Sequence, residues 1–436
     1  MKLAIVVQRY GADINGGAEL HARYIAEHLA PHADVRVLTT CARDYLTWRN
    51  ELPAGLDTVN GVPVERFPVD HERNEEDFGL RSTHVFTRRH SFNEEIEWLD
   101  SEGPACSALL ARLTATRDEF DFVVLFCARY YHAYYGARAV PERAVLVPTA
   151  ERDPVLGLSL LPPIFRGVRA IMYNSFEERA LINTIASNEH VPGVVVGVGS
   201  EIPASVDPAR ARKRFGLDWP YVLYIGRIDA NKGCAELFDF FIRYAADRTN
   251  APTLVLIGNP VIEVPRHPRI RHLGFVGDRD KFDTLAGAAA LVMPSYFESL
   301  SMVALEAWAL GIPVIANARC DVLLGQSLRS NAGLYYADEG EFAGVLERLS
   351  SDSALAADLG RNGRRYYEQH YSWPVIERKY LDMFAQLRTS APSHRMEPIP
   401  GWWSRRQCSI PPALEVLARV PGGPASEAET SRGVLA

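Results

Sequence analysis

Residues 291–316 have the sequence LVMPSYFESLSMVALEAWALGIPVIA, and this stretch decides the fold class. An apolar run ends at Pro294-Ser295, a polar loop carries Glu298, and a segment of helical character carries Glu306. A Gly-Ile-Pro turn at 311–313 then leads into a second apolar run. This order predicts a strand, a loop, an amphipathic helix, a turn and a further strand, which together make one βαβ unit.

The two glutamates of this stretch, Glu298 and Glu306, are eight residues apart. On a single helix this spacing would place them about 80° apart around the axis and roughly 12 Å apart along it. Such a pair can contact two ends of one elongated polar ligand, but it cannot share a proton or a metal ion. Glutamates are also common on solvated helix faces. Because open α/β sheets bind ligands where strands end and helices begin, both residues are candidate site residues.

A second pair of candidates lies in the loop 226–233, GRIDANKG, after the predicted strand 221–225 and before a predicted helix at 234–246. Arg227 and Lys232 are cations at the carboxyl end of a strand, where they can hold a diphosphate. The alternative is a pair of exposed loop charges. The glycines at both ends of the loop and its position at a strand end favour the diphosphate site.

The chain begins with another βαβ pattern. Residues 3–7 form a continuous apolar run that is typical of a buried parallel strand, and a predicted helix at 18–30 precedes a predicted strand at 35–40. The first loop contains Gly16-Gly17, which would let backbone N–H groups approach an anion at a helix N-terminus. A tight turn without a ligand is the alternative. The spacing is not G-x-G-x-x-G, so a nicotinamide-dinucleotide site is not predicted.

Polar groups also follow two other predicted strands of the first half. The run 129–135, RYYHAYY, contains His132 and several tyrosines, whose hydroxylated rings suit sugar faces and edges. A half-buried helix that packs its tyrosines is the alternative. After the predicted strand 144–148, the charged residues Glu151, Arg152 and Asp153 are either part of a site or a solvated loop.

The sequence Asp278-Arg279-Asp280 has the form of an Asp-x-Asp metal motif. It directly precedes a predicted helix at 281–288. Asp278 is therefore predicted to be a helix N-cap, where a carboxylate satisfies free backbone N–H groups, rather than a metal ligand. No metal site is predicted.

Length, charge and cysteine usage exclude several classes of protein. The 436 residues predict two or three domains, and a formal net charge of -7 leaves no basic stripe for nucleic acid. Six scattered cysteines predict reduced thiols and neither a disulfide framework nor a zinc site. No apolar stretch reaches the roughly 18 residues of a transmembrane helix, and the first apolar run is too short for a signal peptide. We expect a cytoplasmic protein.

Several motifs occur in an order that resembles a known family. They are GGAELHARYIAEHLA at 16–30, DVRVLTT at 34–40, YNSFEE at 173–178, VVVGVGSEIP at 194–203, YIGRIDANKG at 224–233, LIGNP at 256–260, HLGFV at 272–276 and the stretch 291–316. Over residues 1–388 the chain resembles the retaining glycosyltransferases of family 4. These enzymes have the GT-B fold and a Glu-x7-Glu motif, which Glu298 and Glu306 match.

The resemblance implies an α/β protein in which two Rossmann-like, doubly wound parallel-sheet domains face each other across a cleft. The expected N-terminal, acceptor-binding domain covers residues 1–198, and the nucleotide-sugar-binding domain covers 199–373. A C-terminal helix at 374–389 is expected to cross back to the first domain. Residues 390–436 are rich in Pro, Ser and Gly and are predicted to be a flexible tail.

The resemblance also implies roles for the candidate residues. Arg227 and Lys232, next to Gly226, would hold the diphosphate and stabilise charge on the leaving group in place of a metal. Glu298 would bind donor-sugar hydroxyls and Glu306 the ribose. The other implied donor contacts are backbone groups of Ser299, Leu300, Ser301 and Met302, the base contacts near Phe275 and Val276, and the loop glycines Gly16 and Gly17.

In this family the anomeric configuration is retained through an oxocarbenium-like state, with no obligatory protein nucleophile. The implied donor is a UDP- or GDP-linked sugar, which is a substrate, so no cofactor is expected. The acceptor would be a glycan, a lipid-linked molecule or a small molecule, as in polysaccharide biosynthesis. Peripheral association with a membrane is compatible with the composition, and nucleic acid is not an expected partner.

One departure from the family concerns the first domain. Many relatives carry a histidine near the reacting sugar, in a loop similar to Pro148-Thr149-Ala150, whereas here Glu151 follows. Either His132 or Glu151 takes that role, or the role is absent. Two alternatives to a transferase therefore stay open: a GT-B sugar-nucleotide epimerase, and a catalytically silent donor-binding subunit. The full set of Arg227, Lys232 and the two glutamates weighs against the silent subunit.

Overall fold

The computed structural model describes residues 1–14, 16–392 and 396–399, together with 414, 417 and 418. The chain divides into two units, Met1–Arg395 and Met396–Ala436, and both sheets lie in the first. Most of the predicted tail, and with it Cys408, lies outside the described residues. The cysteines at 41, 106, 127, 234 and 320 are buried free thiols.

The first sheet has the strand order β3-β4-β2-β1-β5-β6-β7-β8. All of its pairings are parallel except that between β3 and β4. Its strands are β1 (Lys2–Val6), β2 (Asp34–Thr40), β3 (Gly55–Val59), β4 (Val62–Phe67), β5 (Phe122–Phe126), β6 (Ala144–Val147), β7 (Ala170–Tyr173) and β8 (Gly193–Val195). Its helices are α1 (Gly17–Leu29), α2 (Glu75–Thr87), α3 (Phe92–Glu102), α4 (Ser107–Ala115), α5 (Tyr131–Ala139), α6 (Leu161–Gly167) and α7 (Phe176–Ala186).

The second sheet is parallel throughout and has the order β11-β10-β9-β12-β13-β14. Its strands are β9 (Tyr221–Ile225), β10 (Thr253–Ile257), β11 (Ile270–His272), β12 (Ala290–Met293), β13 (Val314–Asn317) and β14 (Gly333–Tyr336). Its helices are α8 (Pro208–Phe215), α9 (Cys234–Ala246), α10 (Asp278–Ala286), α11 (Met302–Ala309), α12 (Asp321–Ser330), α13 (Glu339–Ser351) and α14 (Ser353–His370). The helix α15 (Trp373–Thr389) follows them in the chain. The two sheets confirm the predicted pair of Rossmann-like domains.

The central strands are apolar along their whole length because helices cover both faces of each sheet. Every residue of β5 and of β9 is buried, as are the last four residues of β1. In both sheets the chain order reverses beside the first strand, between β1 and β5 and between β9 and β12. The crevice at such a reversal is the usual ligand site of an open α/β sheet.

Helix α15 packs against the first sheet. The ring of Phe384 stacks on Phe122 of β5, with centroids 5.1 Å apart. At the end of the helix the buried Arg169 guanidinium donates to the carbonyls of Leu387, at 2.6 Å, and Ala391, at 3.0 Å, and also to that of Ser390. A cation at a helix C-terminus satisfies carbonyls that have no partner within the helix.

The sequence pattern predicts neither the strand β3 nor the helix α2, both of which lie within residues 43–100. In β3 only Val59 is buried, because the strand lies at the sheet edge. In α2 only Val85 is buried. Neither element therefore has the hydrophobic periodicity on which the prediction depends.

The prediction that Asp278 is an N-cap was wrong. Helix α10 begins at Asp278, and the N-cap is Gly277, whose backbone is extended. Asp278 therefore lies in the first turn, where its charge still interacts favourably with the helix dipole. Within the described part of the chain, no helix is both long and apolar enough to cross a bilayer.

Candidate functional site

The cleft cavity is a space of about 600 Å³ between the carboxyl edges of the two sheets. Because β9 and β12 are neighbours, the loops that follow them meet at its floor. Sequence-predicted residues that line it are Gly17, Glu151, Gly226, Arg227, Lys232, Glu298, Ser299, Leu300, Ser301, Met302 and Glu306. The structure thus brings most of the predicted site residues to one elongated cavity.

The best-defined polar contact in the cleft cavity joins Lys232 and Glu298. The ammonium nitrogen donates to Oε1 of the carboxylate at 2.8 Å. Burial alone would lower the pKa of Lys232, but the carboxylates of Glu298 and Glu151 outweigh burial and raise it. Lys232 is therefore a fixed positive charge at neutral pH.

Gly233 positions Lys232. Its φ of 72° lies in the left-handed region, and a Cβ there would lie 2.0 Å from the carbonyl oxygen of Pro294 at the end of β12. Only glycine lets the loop after β9 approach β12 this closely. Steric crowding against β12 therefore explains why the predicted loop ends in a glycine.

Glu298 lies in the loop before α11 rather than on the helix. Helix α11 begins at Met302, and the N-cap Ser301 accepts a hydrogen bond from the backbone N–H of Ala304 at 3.3 Å. The helical angle and rise estimated for the two glutamates therefore do not apply. The first residues of α11, Met302 and Val303, line the cavity together with Glu298 and Glu306. The first N–H groups of a helix have no partner within the helix.

Glu306 is buried in the middle of α11. Its Oε1 accepts from the ammonium of Lys281 at 2.9 Å, whereas its Oε2 has no hydrogen-bond partner among the described residues. Burial raises the pKa of Glu306, and Lys281 opposes the rise. An unpartnered buried carboxylate oxygen in a cavity is a ready acceptor for a ligand hydroxyl.

Three further side chains of the cavity wall have a buried polar atom without a partner in the described part of the chain. They are His21 at Nε2, Asn174 at Oδ1 and Ser295 at Oγ. Burial lowers the pKa of His21 to about 3, against a backbone hydrogen bond with Gly197, so the imidazole is neutral at pH 7. These neutral polar atoms can bind hydroxyl groups but cannot neutralise an anion.

A second space, the edge cavity, has a volume of about 310 Å³ and lies at the carboxyl edge of the first sheet. It contains Gly16 and shares Glu151, Tyr130 and Arg227 with the cleft cavity. A third, smaller cavity of about 180 Å³ also includes Glu151, together with Glu298. Glu151 therefore lies where all three spaces meet.

Burial raises the pKa of Glu151, with Lys232 opposing the rise and Glu298 adding to it. The loop that carries Glu151 is held by Glu178, which is 1% exposed. Oε1 of Glu178 accepts from the N–H of Ala150 at 2.6 Å, and Oε2 accepts from the N–H of Asn174 at 2.5 Å. Burial raises the pKa of Glu178 to about 8, against these two hydrogen bonds. Glu178 thus ties the ends of β6 and β7 together.

The structure does not bring His132, Phe275 or Val276 to the cleft cavity. His132 is fully buried, and its Nε2 lies 2.9 Å from the carbonyl oxygen of Phe126. Burial lowers its pKa to about 4. Phe275 is 66% exposed, and Val276 packs against the hydrophobic core. None of the three lines any of these cavities.

Sequence reasoning missed His21, Lys281, Asn174 and Glu178 as site residues. His21 and Asn174 lie inside the quoted motifs at 16–30 and 173–178, so the motifs held a usable signal. No sequence signal marks Lys281 as a site residue, because its partner Glu306 is distant in sequence. Within the described ranges, no group of three or more His, Cys, Asp or Glu residues is arranged to hold a metal ion.

Residues 219–352 match the family model described as "Glycosyl transferases group 1". The second half of the chain therefore contains a group 1 glycosyltransferase domain. The D-inositol 3-phosphate glycosyltransferase of Acidothermus cellulolyticus is 29% identical over 86% of this chain and 88% of its own length. The alpha-maltose-1-phosphate synthase of Mycolicibacterium smegmatis is 26% identical over 39% of this chain and 49% of its own length.

Solved structures show the same fold. Sucrose-phosphate synthase from Thermosynechococcus elongatus superposes with a TM-score of 0.65 at 18% identity, covering 89% of this chain and 99% of its own. HepE from Anabaena, in complex with UDP-glucose, superposes with a TM-score of 0.61 at 16% identity, covering 88% of this chain and 100% of its own. The predicted GT-B fold is thereby confirmed.

Proposed function

We propose that the protein is a glycosyltransferase that moves a sugar from a nucleotide-sugar donor to an acceptor hydroxyl with retention of anomeric configuration. The observation that carries the proposal is that Arg227, Lys232, Glu298 and Glu306 all line the cleft cavity. A nucleotide sugar is an elongated ligand with a diphosphate in its middle and hydroxyl-bearing rings on both sides. The cavity offers cations in the middle and carboxylates on either side.

In this arrangement the diphosphate binds Arg227, Lys232 and the free N–H groups at the start of α11. A helix N-terminus favours an anion because its first N–H groups have no partner within the helix. Glu306, through its unpartnered Oε2, accepts from the ribose hydroxyls. Glu298 exchanges its bond with Lys232 for bonds to the donor-sugar hydroxyls.

The donor base is proposed to be uracil. Support comes from the neighbours of the same fold, since HepE is described in complexes with UDP, UDP and glucose, and UDP-glucose. Phe275 and Val276 lie outside the cleft cavity, so contact with the base would require the loop that carries them to approach the nucleotide.

The transfer step breaks the bond between the anomeric carbon and the donor phosphate oxygen. The acceptor oxygen forms its new bond on the same face of the sugar, and its proton passes to the departing diphosphate. The electron pair of the broken bond stays on the phosphate oxygen, so negative charge grows on the diphosphate before the proton arrives, and Lys232 and Arg227 stabilise it. Retention is part of the proposal because of the resemblance of the motifs, and NMR of the product anomer tests it.

Glu151 is proposed to take the place of the first-domain histidine. It lies where the three cavities meet, whereas His132 is enclosed in the core. A carboxylate there can accept a hydrogen bond from a donor-sugar or acceptor hydroxyl.

A thermal-shift screen of nucleoside diphosphates and nucleotide sugars tests the proposal. Ligand at 100 times Kd stabilises the folded state by about 2.7 kcal/mol, so the correct donor raises Tm by several degrees. Lys232→Ala should abolish this rise, and the exposed Lys213→Ala on α8 should preserve it. Failure of every ligand at high concentration would overturn the proposal. A donor that binds but is neither transferred nor hydrolysed would instead identify a catalytically silent donor-binding subunit.

A further inference from the structure

The edge cavity adjoins the cleft cavity, and the two share Glu151, Tyr130 and Arg227 in their walls, so a ligand in the edge cavity would lie beside a donor in the cleft cavity. Three guanidinium groups, those of Arg9, Arg129 and Arg227, line the edge cavity. Taken by themselves, three arginines would indicate an anionic ligand such as a phosphate monoester. Each of them, however, is already paired with a carboxylate of the protein.

Each guanidinium nitrogen of Arg9 already donates one hydrogen bond. Its Nε and Nη2 donate to Oε1 of Glu19 at 2.8 and 2.5 Å, and its Nη1 donates to the carbonyl of Arg43 at 2.7 Å. Arg9 is 8% exposed and Glu19 is 6% exposed. The pair is therefore a buried, neutral wall of the edge cavity rather than an anion site.

Arg129 and Arg227 are neutralised in the same way. Nε of Arg129 donates to the buried Glu102 at 2.8 Å, and its Nη1 donates to Asp153 at 3.2 Å. Nε of Arg227 lies 2.9 Å from Oδ2 of Asp229. In the proposed reaction Arg227 contacts the donor diphosphate, and Arg9 and Arg129 each have a carboxylate partner. Among the described residues of the edge cavity, no arginine is therefore left without a partner for an acceptor phosphate.

The carboxylates of the edge cavity make an anion still less favourable. Glu19, Glu151 and Asp153 line the cavity alongside the arginines. No ion-pair partner of Glu151 lies within 4.0 Å among the described residues. Glu19 and Asp153 are balanced by Arg9 and Arg129, so Glu151 is the carboxylate whose charge an entering phosphate dianion would meet. In a partly buried space this repulsion is weakly screened.

One neutral acceptor in the wall points to the chemistry that does fit. Gln8 is 2% exposed, and its Oε1 has no hydrogen-bond partner in the described part of the chain. Such an oxygen needs a donor from its ligand. A sugar or polyol hydroxyl at this position supplies one, whereas an ionised phosphate group at the same position does not.

We propose that the edge cavity binds an uncharged, hydroxyl-rich acceptor, a sugar or polyol, and discriminates against acceptors that carry a phosphate. This inference rests on the proposed function, since it identifies the acceptor of the same reaction. The volume of about 310 Å³ is at the small end of ligand pockets, which typically run from about 300 to 1,000 Å³. A single small ring system with a hydroxyl directed at Glu151 and another at Gln8 meets these conditions.

The test compares initial transfer rates, from the donor found by thermal shift, for matched acceptor pairs. The pairs are glucose with glucose 6-phosphate, myo-inositol with inositol 1-phosphate, and fructose with fructose 6-phosphate, together with maltose and octyl glucoside. We expect kcat/KM to be at least about tenfold larger for the unphosphorylated member, which corresponds to about 1.4 kcal/mol. Comparison of glucose with octyl glucoside and maltose separates a free sugar from a sugar at the end of a lipid or glycan.

Two variants link the selectivity to the cavity. Gln8→Leu should raise KM for the neutral acceptor about threefold to tenfold, as expected for the loss of one hydrogen bond, while KM for the donor stays constant. Asp153→Asn should shift the rate ratio toward the phosphorylated member, because it leaves Arg129 with Glu102 as its remaining carboxylate partner. Asp239→Asn, which removes an exposed carboxylate on α9 that lines none of the three cavities, is the matched control and should leave the ratio unchanged.

The possible results distinguish a failure of the acceptor inference from a failure of the proposed transferase function. Preferred use of the phosphorylated members would overturn the inference while leaving the transferase in place. Binding and hydrolysis of the donor without transfer to any of the unphosphorylated acceptors would also overturn the inference. Failure of every nucleotide sugar to bind would overturn the proposed function itself.

Discussion

The ammonium nitrogen of Lys232 lies 2.8 Å from Oε1 of Glu298, so the charge that is proposed to hold the diphosphate is bonded to the carboxylate proposed to hold the sugar. One residue follows β9 and the other follows β12, and the two strands are neighbours in the sheet. Binding of a nucleotide sugar must therefore exchange this bond for two sets of ligand contacts. A substitution at Glu298 should therefore affect the sugar contacts and leave the diphosphate contacts of Lys232 in place.

Glu298→Gln should bind UDP at least as tightly as the wild type, because Lys232 keeps its charge and loses an ionised competitor. Transfer should fall by about tenfold to a hundredfold, since hydrogen bonds between donor-sugar hydroxyls and a carboxylate contribute about 1.5–3 kcal/mol. Calorimetric titration with UDP and steady-state kinetics measure the two effects. Glu347→Gln, an exposed glutamate on α13, is the control. Weaker UDP binding by Glu298→Gln would contradict the exchange.

Glu151→Gln and His132→Gln distinguish the two first-domain candidates. Glu151→Gln should lower kcat with little change in Tm, and His132→Gln should lower Tm with little change in kcat, because His132 lies in the core. Burial places the pKa of Glu151 above its ordinary 4.5. If the ionised form acts, the wild-type rate falls as the pH drops through this raised pKa.

The pH profile of the variants is the second measurement for this pair. Glutamine does not titrate, so the acid limb due to Glu151 should be absent from Glu151→Gln. The same limb should remain in His132→Gln. An unchanged acid limb in Glu151→Gln would remove Glu151 from the proposed role.

The second domain could be predicted closely from the sequence because its signals are local. The stretch 291–316 has apolar runs, a turn and a helix pattern that each specify their own structure, and the loop 226–233 is bounded by glycines that its geometry requires. Adjacent strand ends then bring Lys232 and Glu298 together. The prediction needed only the order of elements and the rule that parallel strands end at one edge.

Contacts between distant segments could not be predicted in this way. Glu178 has the sequence context of an ordinary acidic residue in the first turn of a helix, yet its carboxylate accepts from backbone groups at the ends of two strands. Lys281 of α10 bonds Glu306 of α11 across a separation of 25 residues, which no local pattern predicts. The edge strand β3 and the surface helix α2 bury too little apolar area to leave a periodic pattern.

Arg169→Ala should destabilise the attachment of α15 to the first sheet. The guanidinium bonds the carbonyls of Leu387, Ser390 and Ala391, and its loss leaves the end of the helix without these partners. Hydrogen bonds to a charged group contribute about 1.5–3 kcal/mol, so the first unfolding transition in urea should move to lower concentration. Arg388→Ala, an exposed arginine in the last turn of α15, should leave the midpoint unchanged. Equal midpoints for the two variants would contradict the anchoring role.

Glu178→Gln should change the pH dependence of stability in a direction fixed by its pKa. The carboxyl group has an ordinary value of 4.5 and a folded-state pKa of about 8, raised by burial. Below about pH 4.5 the group is protonated in both states, so it contributes no pH dependence there. Between these two values the folded state retains a proton that the unfolded chain has released, and stability therefore falls as the pH rises. Above about pH 8 the full penalty of the buried charge is present.

Glutamine removes this titration but also loses one acceptor for the N–H groups of Ala150 and Asn174. The variant should therefore be less stable than the wild type near pH 5, and the difference in Tm should shrink steadily towards pH 9. Thermal unfolding at intervals across this range measures the difference, with the exposed Glu189→Gln as control. A difference that stays constant with pH would mean that Glu178 is ionised throughout, because its two backbone hydrogen bonds would then outweigh its burial.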